Sequence, residues 1–86
     1  MVTTAFGKAT VAEEVTLKQS ANGKQFAALV QLLENEKGEL FVRFAYATDG
    51  TARRGPVTLR RADLERLRVA LKKTPKLAAV LDLAGV

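Results

Sequence analysis

The chain contains no cysteine and no histidine. The first absence excludes a disulfide framework, thiolate chemistry and a cysteine metal site. The second removes the commonest general base and the commonest zinc ligand. No apolar run approaches the roughly 18 residues of a membrane span, and the opening MVTTAFGKAT has no apolar signal core. We therefore expect a soluble, intracellular chain, cytoplasmic or nucleoid-associated, with no membrane partner. Without histidine or cysteine, catalysis needs a carboxylate pair or an activated lysine. The carboxylates cluster instead at Glu13-Glu14 and Glu34–Glu36, on strand and turn positions, and the glycines are scattered, with none leading into a helix as a phosphate loop does. The expectation is a protein that is not an enzyme, with no metal, no cofactor and no small-molecule substrate.

What is present points elsewhere. The 86 residues make one domain. A chain this short buries a smaller share of its surface than a larger one, so its core is marginal, yet 48% of the residues are hydrophobic. A second copy is the simplest place to bury the excess, so a homodimer is expected. The net charge of +5 is uneven: residues 1–42 carry four lysines against five glutamates, and residues 43–86 carry ten basic against four acidic side chains. Basic excess held in one half suggests a polyanion partner.

Residues 1–8 read as a flexible arm with Phe6 as its anchor, and residues 9–86 as the folded domain. Ala9–Gln19 alternates, with Val11, Val15 and Leu17 on one face and Glu13 interrupting it, which is the pattern of a half-buried strand. Asn22-Gly23 marks a hairpin turn. Lys24–Asn35 fits a helical stripe through Phe26, Leu29, Val30 and Leu33, and also a strand; turn signals on both sides favour the strand. Leu40–Thr48 is rich in aromatic and β-branched residues and is the clearest strand. Leu40, Val42, Phe44 and Tyr46 point one way, and Phe41, Arg43 and Ala45 the other. After Asp49-Gly50 and a basic turn, Pro56–Arg60 reads as a fourth strand. A helix begins near Ala62 or Asp63, with Leu64, Leu67 and Leu71 on its apolar side. Thr74-Pro75 opens a second short helix with Leu77, Val80, Leu81 and Ala84 on its apolar side. The fold class is α+β, a four-stranded antiparallel β-meander followed by two helices.

All seven arginines lie between Arg43 and Arg68. Within that stretch VRFAY (Val42–Tyr46), Asp49-Gly50, Arg53-Arg54, PVTL (Pro56–Leu59) and the leucines Leu64 and Leu67 resemble the positive-cofactor-four family of transcriptional coactivators. The resemblance implies a dimeric ββββα fold that binds single-stranded DNA, with Arg43 on the family arginine. Phe44 stands where that family has an acidic residue, Pro56 where it has glycine and Gly55 where it has lysine. The basic turn is about two residues shorter, and the second helix is an addition.

The residues support a nucleic-acid partner without the resemblance. Single strands bind where a basic groove follows phosphates and flat side chains stack on bases. Phe41 and Arg43 share a sheet face, as platform and cation, and Tyr46 is a further aromatic candidate. Arg53, Arg54, Arg60 and Arg61 are expected to rim the groove, with Lys18 and Lys24 from the first hairpin. Arg60 and Arg61 precede a helix, where positive charge opposes the dipole, and an anion docked there would explain them. DNA is the expected ligand and RNA the alternative. Two other readings compete: a protein-interaction or dimerisation module, and a ribbon-helix-helix regulator of duplex DNA built from residues 56–84.

Overall fold

The computed structural model describes residues 2–21, 23–48, 51–53 and 56–82, at 21 and 51–53 for the backbone alone. Five antiparallel strands run in sequence order across one sheet: β1 (Val2–Thr4), β2 (Gly7–Ala21), β3 (Lys24–Asn35), β4 (Leu40–Thr48) and β5 (Thr51–Arg53). Helix α1 (Arg61–Ala70), one 3-10 turn (Leu71–Lys73) and helix α2 (Pro75–Leu81) follow. This is the expected α+β meander with two helices, which pack on one face of the sheet. No helix among the described residues is long and apolar enough to cross a membrane.

β3 is the centre of the sheet. It pairs with β2 along its whole length and with β4 over residues 27–34. Ala28, Val30 and Leu32 face the helices and are fully buried, while Gln31 and Leu33 are buried on the opposite face. A strand covered on both sides reads as a nearly continuous apolar run rather than as an alternation. That is why its sequence also fits a helix, and why pairing on both edges overrides the helical propensity of its alanines and leucines.

The register of β2 breaks once. Val11 lies opposite Leu33 and Glu13 opposite Leu32, so Ala12 is a bulge. The bulge puts Val11 on the face away from the helices, whereas Val15 and Leu17 face the helices and are buried. The single apolar face expected for Val11, Val15 and Leu17 is therefore split in two. Glu13 is turned toward the helices, where its carboxylate accepts the Leu77 N–H in the first turn of α2 at 2.6 Å. The side chain that interrupts the alternation serves as the anchor of the last helix.

Three other expectations change. Within the stretch read as an arm, Val2–Thr4 pairs with Gly7–Ala9 as a three-residue hairpin strand. Pro56–Arg60 is not a strand: the partner of β4 is Thr51–Arg53. Residues 56–60 instead lead without strand pairing into α1, with Val57 and Leu59 packed on the core and the Thr58 carbonyl accepting from Gln19. On α1 the buried stripe is Asp63 and Leu67 with half-buried Ala70, continued by half-buried Leu71 of the 3-10 turn, and Leu64 is 51% exposed. The helix is rotated by the burial of an acidic residue, as described below.

Val15, Leu17, Ala28, Val30, Leu32, Leu67 and Leu77 form the core. Leu77 is fully buried and fixes α2 on the sheet. Leu77→Ala is expected to cost about 2–5 kcal/mol, read as a lower urea midpoint at unchanged slope.

Candidate nucleic-acid interface

With both helices on one face, the other face of the curled sheet carries no helix among the described residues and is open along β2, while Gln31, Leu33 and Ala45 are buried in it. The register arranges its side chains in cross-strand rungs, about 7 Å apart. Val11, Leu33 and Phe41 form one; Glu14, Gln31 and Arg43 the next; then Thr16, Leu29 and Ala45; then Lys18, Ala27 and Ala47. One end is apolar and aromatic, the second rung is charged, and the remaining two combine Thr16 and Lys18 with Leu29 and three alanines.

The aromatic end is closed by a residue from the first turn. Phe6 reaches across the sheet and stacks on Phe41, with ring centroids 5.3 Å apart and planes 3° from parallel. Leu33, on the strand between, is 1% exposed, while Phe6 is 73% exposed. Offset parallel stacking at this distance is favourable for two rings. It leaves Phe41 half-buried and makes Phe6 the outer surface of the pair.

The charged rung is bonded across three strands. Arg43 Nε donates to Gln31 Oε1 at 2.9 Å, and Gln31 Nε2 donates to Glu14. Gln31 orients the guanidinium beside Phe41 and leaves its remaining N–H groups to be used elsewhere. Farther along, Lys18, Thr16, Leu29, Ala47 and Arg60 line an open hollow of about 940 Å³.

Arg60 is placed by an internal carboxylate. Asp63, with its side chain fully buried, accepts the Arg60 backbone N–H at 3.0 Å and the Arg60 guanidinium at 3.2 and 3.4 Å. It also accepts Gln19 Nε2 at 2.8 Å and Arg66 Nη1 at 3.2 Å. Arg66 further donates to the Lys18 carbonyl at 2.9 Å. Arg60 is the N-cap of α1 and Asp63 its third residue, so the carboxylate returns to the cap N–H as in a capping box. The anion that the arginine at this helix start requires is thus Asp63 of the same chain. Among the described residues no buried side-chain nitrogen or oxygen lacks a partner.

The nine candidate residues fall in several places. Phe41, Arg43 and Lys18 share the open face, and Arg60 lies at its rim. Lys24 and Tyr46 line a separate hollow of about 520 Å³ with Phe26, Val57 and Thr58. Arg61 is exposed on the first turn of α1. Arg53 is described for its backbone only, and Arg54 lies outside the described residues. Phe6, Gln31 and Asp63 take part in these arrangements and were not candidates. Phe6 next to Gly7 reads as an arm, and Gln31 looks neutral in an apolar run. Asp63 carried a legible signal, an acid three residues after a helix cap. Among the described residues no cluster of acidic side chains could hold a metal ion.

No family model matches this chain, and no curated protein or solved structure matches it either.

Hydrogen bonds from the Arg60 side chain, then from its backbone, hold the Asp63 carboxyl well below the usual carboxylate range; burial opposes this, and Gln19 assists. The folded value lies below the unfolded one, near 4. The ionised carboxylate therefore stabilises the fold above about pH 4, and that contribution is lost as pH falls. Melting temperature is expected to drop steeply for the native chain between about pH 5 and pH 2, and less steeply for Asp63→Asn, which melts lower at neutral pH.

Proposed function

We propose that this chain is a non-catalytic binding protein for single-stranded nucleic acid, with DNA the first candidate, held across the open face of the sheet. The observation that carries the reading is the Phe6–Phe41 stack beside Arg43. A base can extend the stack on the outer ring of Phe6, and the Arg43 guanidinium, held by Gln31, can meet the adjoining phosphate. Lys18 carries positive charge farther along the same face, beside the open hollow that it lines with Thr16, Leu29 and Ala47. RNA offers the same base faces and phosphates. The reading implies an intracellular location, cytoplasmic or nucleoid-associated. It keeps the likeness of Val42–Tyr46 to the positive-cofactor-four family and weakens that of Pro56–Leu59, which is not a strand.

A protein-interaction module is the second reading. It is favoured by Leu64 and Val69, which are exposed on α1. The ribbon-helix-helix alternative needs residues 56–60 free for strand pairing, and Val57 and Leu59 are engaged in the core.

The test is an anisotropy titration with a labelled single strand and the matching duplex at several salt concentrations. The single strand is expected to bind more tightly, with a log–log salt slope of about −0.7 per phosphate neutralised. Phe6→Ala is expected to weaken binding roughly 5- to 150-fold, the equivalent of about 1–3 kcal/mol for one stacked base, with the melting temperature preserved. Absence of binding at low salt, or preference for the duplex, would remove the reading.

A further inference from the structure

We infer that two copies of this chain join through the outer edges of β4, antiparallel about a two-fold axis at Val42, to make one continuous sheet. The inference rests on the edges of the sheet and does not depend on the ligand proposed above.

The two edges differ. On β2, strand β1 covers Gly7–Ala9, the bulge at Ala12 distorts the next stretch, and Arg66 occupies the Lys18 carbonyl. Bulges, lysines and covering side chains are the usual means of keeping an edge from pairing. β4 has none of them. β5 covers only Tyr46–Thr48, and among the described residues nothing pairs with the outer edge of Leu40–Ala45. That segment, LFVRFA, has no proline, lysine or bulge, and its single charge, Arg43, is bonded inward to Gln31. On the face toward the helices, Leu40 is 46% and Phe44 50% exposed, although both belong to a strand with an apolar face.

The segment is self-complementary. In an antiparallel pair, opposed residues share a face, so a two-fold axis through the pairing must pass at a residue. Centred on Val42, it sets Leu40 against Phe44 on one face and Phe41 against Arg43 on the other, each pair occurring twice. The first pair covers the two exposed apolar side chains. The second is an aromatic–cation pair at cross-strand distance. The free stretch ends where β5 begins on one side and at the turn ending in Glu39 on the other, which leaves room for this register. A high hydrophobic share in a short chain fits the same arrangement.

The absence of cysteine makes the test specific, because one introduced thiol is the only one. In this register the two Val42 Cα atoms lie about 4.5–5.5 Å apart, within disulfide range. Under mild oxidation Val42→Cys is expected to become a covalent dimer much faster than Thr16→Cys, an exposed control on β2. Sedimentation at about 100 µM is expected to give a dimer for the native chain and a folded monomer for Phe44→Lys or Leu40→Lys. A native monomer at that concentration would overturn the inference. So would a dimer that survives both lysine variants, or a Val42→Cys cross-link no faster than the control.

Discussion

The bulge at Ala12 governs what the rest of the fold can do. One extra residue in a fifteen-residue strand reverses the facing of everything before it relative to everything after it. After the bulge, Val15 and Leu17 supply the floor on which both helices rest. Before it, Val11 joins Leu33 and Phe41 on the opposite face. Without the reversal Val11 would share the helix side with Glu13, Val15 and Leu17, and the rung of Leu33 and Phe41 would lose its third apolar side chain. The bulge thus gives a small one-layer sheet two usable surfaces, one for packing and one left open.

Asp63 is the second organising group, and it changes the meaning of the arginines. Two arginines before a helix look like an invitation to an external anion when only charge and position are considered. The buried carboxylate reverses that reading for Arg60, since it binds the cap N–H and guanidinium together and adds Gln19 and Arg66 from two other directions. An ion with that many donors stabilises a joint between elements, and it is costly to leave any of its partners unmade. The same joint fixes the rotation of α1, which explains the exposure of Leu64. What remains for a ligand is a narrower set of groups than the bulk charge suggests. Phe41, Arg43 and Lys18 lie along one face, and Phe6 joins them from outside the basic half.

The fold was largely legible in the residues, for identifiable reasons. The turns at Gly23 and Gly38, both with positive φ, punctuate the meander, and glycine is the residue that takes such angles without strain. Aromatic and β-branched residues made Leu40–Thr48 unmistakable. Thr74-Pro75 marked the start of α2. Pro56–Arg60 misled because Val57 and Leu59 alternate as a strand would, and alternation reports burial on one side, not hydrogen bonding to a neighbour. Phe6 and Asp63 were undervalued because their roles depend on contacts across the chain. Phe6 meets Phe41 thirty-five positions away, and Asp63 meets Gln19 at a separation of 44. The Arg60–Asp63 cap is a local pattern, but no local pattern encodes the bond to Gln19 or the stack of Phe6 on Phe41.

The bond from Glu13 to Leu77 has a consequence for how the chain reaches this state. Its ends are 64 residues apart, so closing that loop carries a large entropic cost before any contact repays it. The hairpins between β2, β3 and β4 close short turns and repay at once. The acceptor for α2 is thus presented by a strand whose own pairing is local, with Glu13 on the face shared by Val15 and Leu17. α2 is held by that anchor, one fully buried leucine and the half-buried Val80 and Leu81.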